Sequence, residues 1–259
     1  MKNFIQKIKE NIKSITYIEY LTAIIIFYAV GSLIINLMAV KTMGVYDIID
    51  YETHFGEAIL PITTAGTCIS WLVFAALDVI TEVAGNKVAN KTFWTVGITN
   101  LILTIVAALI CFIPGNPWTE SSYQGVFGGN WGITLSSLLA FLLGSYVNVV
   151  IMYVMKTRAQ DKNSGFGFTL RVLVSTLVGQ FIDNALFYIL ALAPGFGLGG
   201  FVNEAVRCSS WRNLWIIVGF TTAIELIVEV IFSPLFHKLS QALIRKRELE
   251  QNNTTVEAK

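Results

Sequence analysis

Long apolar runs alternate with short polar segments along most of this chain. The runs fall at residues 20–40, 60–83, 92–113, 132–155, 170–192 and 213–234. Each run has about 20 residues, enough for a helix to cross the roughly 30 Å hydrocarbon core of a bilayer. The pattern therefore predicts an all-α, polytopic membrane protein with six transmembrane helices.

Lysine and arginine residues are distributed unevenly among the connecting segments. If the amino terminus is inside, 15 of the 18 basic residues fall on the inner side, and Lys41, Arg207 and Arg212 fall on the outer side. Cytoplasmic loops of membrane proteins carry an excess of Lys and Arg. The distribution predicts a multi-pass protein of the cytoplasmic (inner) membrane with both termini cytoplasmic.

The first residues of the chain have a pattern of their own, in which apolar side chains such as Phe4 and Ile8 recur at helical spacing with lysines opposite them. This is typical of a helix that lies on a membrane surface. We predict an amphipathic interfacial helix over residues 1–16, a six-helix transmembrane domain over 17–237, and a basic, then polar, cytoplasmic tail over 238–259.

The composition narrows the classes of function. Charged residues make up only 14% of the chain, against roughly 25% in soluble domains, so the lipid bilayer is the expected partner. The net charge of +1 provides no basic field for nucleic acid. The sequence contains no phosphate-binding loop, no zinc motif and no nucleophile–base set. We therefore predict no enzyme activity, no cofactor and no metal.

The second apolar run ends with two acids one helical turn apart, Asp78 and Glu82. A carboxylate inside a membrane is costly and normally faces a cavity or a partner. Glu82 has a simpler interpretation as an interfacial residue, because Lys87 and Lys91 follow closely and could neutralise it. Asp78 is a turn deeper, which favours a function for it.

The fifth run carries a wide polar face, in which Ser175, Gly179 and Asp183 follow one another at steps of four residues, bordered by Thr176 and Gln180. Small and polar residues also hold membrane helices together. A packing seam does not need a buried carboxylate, however, so Asp183 favours a binding function for this face.

The sixth run places Thr221, Glu225 and Glu229 on one face, again a turn apart. Two acids in the middle of a membrane span need cations, protons or a polar cavity. Few embedded bases are expected, namely Lys41 and Arg171. We therefore predict that Glu225 and Glu229 take part in proton or charge coupling.

Three motifs are familiar together: NLMAVK in the first run, DVITEVAGNKVANK at the end of the second, and LRVLVSTLVGQFIDNALFYI in the fifth. The chain resembles the queuosine precursor transporter family, also called vitamin uptake transporter-like integral membrane proteins. The resemblance implies that the chain imports a 7-deazaguanine-type base for queuosine biosynthesis across the cytoplasmic membrane. It implies a substrate site that contains Asn36, Lys41, Asp78, Glu82, Arg171, Ser175, Gln180, Asp183 and Phe187.

The chemistry of such a base fits the fifth run. A guanine-like edge presents a ring N–H beside an exocyclic amine, and the carboxylate of Asp183 can accept both. The neighbouring carbonyl needs a donor, and the flat ring needs an aromatic face. The candidate donors and aromatic residues are Gln180, Asn184, Lys41, Phe187 and Tyr188. The same set would suit other flat amides or purines.

Two other classes of function are consistent with the sequence. One is the substrate-binding membrane subunit of an energised vitamin importer, which would copurify with an ATPase pair. The other is a membrane scaffold, which would tolerate neutral substitutions of its acids. Six spans without a visible internal repeat raise the chance of a homodimer.

Overall fold

The fold is described from a computed structural model. It describes residues 15–39, 41–44, 62–124, 127, 131–159, 165–198, 208 and 210–257. The predicted interfacial helix over residues 1–16 lies almost wholly outside these residues. The described part is a bundle of long helices, and six of them are long and apolar enough to cross a membrane. This confirms the all-α architecture with six transmembrane helices.

The elements follow the order of the predicted runs, with two additions. The helices are α1 (Tyr17–Met38), α2 (Thr67–Ala84), α3 (Asn86–Ile110), α4 (Pro117–Tyr123), α5 (Trp131–Arg158), α6 (Gly165–Leu192) and α7 (Trp211–Glu257). The membrane spans are α1, α2, α3, α5, α6 and α7. The short helix α4 and a pair of three-residue strands were not predicted.

The two strands tie the end of α1 to the start of α2. Strand β1 (Thr42–Gly44) pairs antiparallel with β2 (Ile62–Thr64), and Thr42 lies opposite Thr64. Next to the pair, the Ala65 amide donates to the Lys41 carbonyl at 2.8 Å. This ladder satisfies backbone groups where the two helices leave the bundle.

Helix α2 occupies the centre of the bundle. Its most apolar window is 67% buried, against 22% for the corresponding windows of α1 and α3. Helix α2 contacts α1, α3, α5 and α7, and α5 packs extensively on α6. Side chains on α2 therefore face other helices rather than lipid, including its acids Asp78 and Glu82.

A single residue, Gly85, connects α2 to α3. Its φ angle is +85°, in the region that favours glycine over residues with a Cβ atom. Helix α3 can therefore begin at Asn86, six residues before the predicted start at residue 92. The polar turn of α3 that follows includes Lys87 and Lys91 at one end of the bundle, here called the basic end.

Helices α5 and α6 cross at a close backbone contact. A Cβ atom on Gly144 would lie 2.8 Å from the Gly179 carbonyl oxygen and 2.7 Å from the Asp183 Cβ. A Cβ atom on Gly179 would lie 2.8 Å from the Asn148 Cβ. Only glycine allows this approach, and it brings the polar face of α6 directly against α5.

The predicted end of the last helix near residue 234 is wrong, because α7 continues from Trp211 to Glu257 with Pro234 inside it. Proline removes one backbone donor and normally bends a helix. The residues after it are rich in Leu, Ala, Lys, Arg and Glu, which are strong helix formers.

The extension of α7 packs on the basic end of the bundle. Arg247 donates to the Val83 carbonyl at 2.8 Å, and Glu250 accepts the Tyr17 amide at 2.8 Å. The Lys246 ammonium lies 5.0 Å from the centre of the Tyr20 ring. These contacts link the extension to the start of α1 and the end of α2.

Candidate functional site

The five acids predicted from the membrane spans lie on three neighbouring helices. Asp78, Glu82, Glu225 and Glu229 are each at most 3% exposed, whereas Asp183 is only partly buried. A buried carboxylate needs compensation by a cation, by hydrogen-bond donors or by a proton. The partners of each acid therefore indicate what that acid can do.

Glu82 has cationic partners at the basic end. The Arg171 guanidinium donates to its Oε1 at 3.1 Å, and the Lys156 ammonium lies 3.5 Å from the same oxygen. The Lys156 ammonium also donates to the Glu82 backbone carbonyl, where a cation at a helix C-terminus is favourable. This ion-paired cluster joins α2, α5 and α6.

Two expectations about these charges need correction. Lys87 and Lys91, which the sequence suggested as neighbours of Glu82, are exposed on α3. Lys41, expected as an embedded cation, is also exposed and lines neither of the two cavities near the end of α1. At Lys41 the chain leaves α1 and enters the β1–β2 pair, so this residue lies away from the interior of the helix bundle. Among the described residues, Lys156 joins Arg171 as a cation at Glu82.

Asp78 and Glu229 form a contrasting pair in the middle of the bundle. The Asn148 amide donates to Asp78 Oδ1 at 2.7 Å, and the carboxyl groups of Asp78 and Glu229 are close enough to interact electrostatically. Glu229 accepts the Thr176 hydroxyl at 2.8 Å and the Gln180 amide at 3.2 Å. All these hydrogen-bond donors are neutral.

Glu225 lies one turn from Glu229 on α7 and also has neutral partners. It accepts the Ser70 hydroxyl and, at 2.8 Å, the Asn184 amide. The Asn184 amide also donates to Thr222 at 3.1 Å. We call Asp78, Glu225 and Glu229 the neutral-donor acids, because each receives its hydrogen bonds from uncharged side chains among the described residues.

Asp183 differs from the other four acids. The described part of the chain provides no hydrogen-bond partner for its carboxylate, which lines a small cavity of about 30 Å³ between α1, α2, α5, α6 and α7. The wall also includes Ser70, Asn184, Phe187 and Glu225. We call this space the polar cavity. It is large enough for a water molecule and too small for a ring in this conformation.

The remaining predicted site residues are divided between the neighbourhood of this cavity and the packing around it. Asn36 accepts the Ser137 hydroxyl at 2.9 Å, and Ser137 lines the polar cavity. Ser175 is fully buried and donates to its own helix at the Val172 carbonyl, 3.2 Å away. Ser175 is not among the described residues that line the polar cavity, and its assignment to the substrate site stays a prediction.

The polar face predicted on α6 divides into two edges. Gly179 and Asp183 face α5, whereas Thr176 and Gln180 face Glu229 on α7. Residues that the sequence motifs did not indicate complete the network from other helices: Ser70, Ser137, Asn148, Lys156 and Thr222. Asn148 could have been recognised in the sequence, because it is a single amide side chain in the middle of the fourth apolar run. An amide is costly to bury without a partner.

Six membrane-spanning helices around a core of buried acids define a multi-pass membrane protein with a polar interior, an arrangement suited to carrying polar solutes. The chain belongs to a family of membrane transporters: residues 64–238, more than half of it, match the family described as "Putative vitamin uptake transporter". This confirms the transporter part of the resemblance. The queuosine-precursor specificity stays a prediction. No curated protein and no solved structure matched the chain.

Proposed function

We propose that this transporter imports a queuosine precursor, a 7-deazaguanine-type base, and that Asp183 reads the base. The observation that carries the proposal is the carboxylate of Asp183, which lines the polar cavity and receives no hydrogen bond from the described residues. A carboxylate in that position can accept both the ring N–H and the exocyclic amine of a guanine-like edge.

The surroundings of Asp183 supply the other groups that such a base needs. The Asn184 amide is a donor for the ring carbonyl, in competition with its present bond to Glu225. Phe187 lines the same cavity and offers an aromatic face, packed edge-on against Tyr188 with ring centres 5.1 Å apart. The cavity must widen to admit a ring, so we propose that the described conformation is a closed one.

We further propose that Glu229 and Glu225 couple transport to protons. Asp78 and Glu229 face each other without a cationic partner among the described residues, and all their hydrogen-bond donors are neutral. Burying two carboxyl groups in a low-dielectric environment costs little free energy when protons neutralise them. Movement of a proton on or off this pair would then accompany the opening of the adjacent polar cavity.

We propose that the basic end of the bundle and both termini lie on the cytoplasmic side of the cytoplasmic membrane. It rests on the excess of Lys and Arg at that end. A cysteine at Glu120 should react with an impermeant thiol reagent from outside the cell, and one at Lys87 should not. The reverse labelling pattern would invert the proposed direction of transport.

Asp183→Asn tests the recognition step. The change is nearly isosteric, but it replaces an acceptor oxygen with a donor that opposes the N–H groups of the base. Loss of one charge-assisted hydrogen bond costs about 1.5–3 kcal/mol, or about tenfold or more in affinity. Uptake of labelled 7-cyano-7-deazaguanine at limiting concentration should fall accordingly in proteoliposomes, while expression and membrane insertion stay normal.

The matched control is Glu248→Gln, the same carboxylate-to-amide change on an exposed residue of the α7 extension. It should transport at the wild-type rate. Wild-type uptake by Asp183→Asn would remove Asp183 from recognition. If wild-type protein instead takes up a vitamin and none of the cyano, aminomethyl or free-base precursors, the proposed substrate is wrong and the transporter class stands. Copurification of an ATPase pair would indicate the subunit of an energised importer. The homodimer stays a prediction.

A further inference from the structure

A second and larger cavity lies at the same end of the bundle as the polar cavity. It has a volume of about 210 Å³, lies between α1, α3 and α5, and is partly open, because Leu37, Leu103 and Trp131 in its wall are 37–44% exposed. Its wall includes Asn36, Leu103, Thr104, Ala107, Trp131 and Thr134. We call it the apolar cavity. None of the described residues in its wall is ionisable, which separates it chemically from the acid-lined space beside it.

The polar group of greatest interest in this wall is the Asn36 amide. Asn36 is 2% exposed, its Oδ1 accepts the Ser137 hydroxyl at 2.9 Å, and its Nδ2 has no hydrogen-bond partner among the described residues. A buried donor without a partner is costly to the folded state. An acceptor on a bound molecule, such as a ring carbonyl, would satisfy it.

The size of the apolar cavity selects the kind of molecule. A dry, apolar protein cavity of about 150 Å³ accepts benzene, so a volume of about 210 Å³ suits a flat molecule of one or two rings. The indole of Trp131 offers a stacking face, and the hydroxyls of Thr104 and Thr134 offer further polar contacts. The absence of charge in the wall favours a neutral molecule over an anion or a cation.

The two cavities meet at one hydrogen bond. Ser137 lines the polar cavity, Asn36 lines the apolar cavity, and the two side chains are bonded to each other. Rotation of either side chain would break this bond between the two walls. A molecule in the apolar cavity would then lie beside the polar cavity that contains Asp183.

We propose that the apolar cavity is a first binding site for a neutral, flat heterocycle with an amide-like edge. The ring stacks on Trp131, its carbonyl accepts from Asn36, and it passes to Asp183 when the Asn36–Ser137 bond opens. This proposal rests on the proposed function, because it assigns an earlier step in the path of the same substrate. It adds a site, and a group of specificity residues on α3 and α5, that the motifs did not indicate.

The test uses full-length protein in lipid nanodiscs and 7-cyano-7-deazaguanine as the probe. Fluorescence titrations of wild-type protein and Trp131→Phe at equal ligand concentrations give the quenching that belongs to Trp131, because light absorption by the ligand is the same in both. We expect saturable Trp131-dependent quenching in wild-type protein. Asp183→Asn should keep this quenching while its uptake falls.

Ala107→Phe fills the apolar cavity and should weaken the Trp131-dependent binding about tenfold or more. Its matched control is Ile105→Phe, which adds a ring on the same helix at a side chain that is 50% exposed and outside the cavity wall. The control should bind as wild type does. Equal thermal unfolding of the two variants would show that the difference in binding is local.

The outcomes separate this proposal from the proposed function. Normal uptake by Ala107→Phe, without any Trp131-dependent quenching in wild-type protein, would overturn the first binding site and leave the transport function in place. Saturable quenching without uptake in any variant would support the site and contradict the import function. Quenching of Trp131 by brominated acyl chains that the heterocycle does not displace would assign the cavity to lipid and overturn the proposal.

Discussion

Asp78 and Glu82 lie one turn apart on the same helix, and both are buried, yet their partners differ in charge. Glu82 contacts the cations Arg171 and Lys156. Asp78 accepts a hydrogen bond from the neutral amide of Asn148 and faces another carboxyl group, that of Glu229. An ion pair fixes a carboxylate in its charged form, whereas neutral donors leave its protonation open to change. The charge of the partner, rather than burial, therefore distinguishes a structural acid from a candidate proton carrier.

The position of each group along the bundle agrees with this distinction. The ion-paired cluster lies at the basic end, where α2 ends and the α7 extension packs. The neutral-donor acids lie deeper, and Glu225 reaches the polar cavity. We interpret the ion pairs as the elements that hold one end of the bundle closed, and the neutral-donor acids as the elements that respond to ligand and protons.

The largest effect should come from Glu82→Gln. The substitution removes the carboxylate that pairs with the buried guanidinium of Arg171, and removing one partner of a buried pair costs about 3–5 kcal/mol. Thermal unfolding of the purified protein in detergent should show a large loss of stability, with poor expression. A melting temperature close to wild type would mean that the ion pair is not structural, and the contrast between the two acids on α2 would disappear.

A smaller effect should come from Gly144→Ala, which tests whether backbone packing, rather than charge, holds the deeper acids in place. In Gly144→Ala, the new methyl group would lie 2.8 Å from the Gly179 carbonyl oxygen, so α5 and α6 must separate. Overpacking of this kind costs about 1–3 kcal/mol. The loss should appear both in thermal unfolding and in uptake, because Asp183 is on the displaced surface.

Gly219→Ala is the matched control for that substitution. No described residue lies within 4 Å of the position of its Cβ atom on α7. Alanine is better than glycine inside a helix by about 0.5–1 kcal/mol, so the control should be as stable as wild type or slightly more stable. Equal destabilisation by the two substitutions would contradict the close crossing of α5 and α6.

A comparison of Lys156→Ala with Lys87→Ala tests which of the two lysines is the cationic partner of Glu82. Lys156 is 23% exposed and contacts both the carboxylate and the backbone carbonyl of Glu82, so its loss should cost about 1–2 kcal/mol. Lys87 is exposed, and its loss should change the free energy of unfolding by less than about 0.5 kcal/mol. A reversed order in chemical denaturation would return Lys87 to the role suggested by the sequence.

Of the two substitutions at buried acids, Glu229→Gln should have the smaller effect on stability, because Thr176 and Gln180 remain able to bond an amide. We expect a change below about 1 kcal/mol. The dependence of uptake on external pH should nevertheless change, since the variant cannot gain or lose a proton at this position. A pH profile identical to wild type, at a normal rate of uptake, would exclude Glu229 from coupling.

The six spans could be predicted from sequence because length and hydropathy decide whether a helix crosses a bilayer. The buried acids could also be found, because a carboxylate in an apolar run is too costly to face lipid and must turn towards the interior of the bundle. Their partners could not be assigned. Lys156 looks like a loop cation in the sequence, and only the packing of α5 against α2 brings it to Glu82.

The apolar cavity could not be predicted from the sequence, for a related reason. Leu103, Ala107 and Trp131 are ordinary residues of membrane helices, and nothing in their spacing distinguishes a cavity wall from a lipid-facing surface. The same holds for the length of α7. Its polar residues after Pro234 satisfy the rules for a membrane exit, and only their contacts with Tyr17 and Val83 show that the helix continues.

The continuation of α7 gives the protein a lever arm. Glu250 lies 16 residues beyond Pro234 on one helix, or about 24 Å at a rise of about 1.5 Å per residue. A tilt of about 10° at the proline would therefore displace Glu250 by about 4 Å. That distance exceeds the 2.8 Å bond between Glu250 and the Tyr17 amide. A small rotation of the helix that carries Glu225 and Glu229 would thus be magnified at Glu250, where a fluorescent probe on the arm would report it.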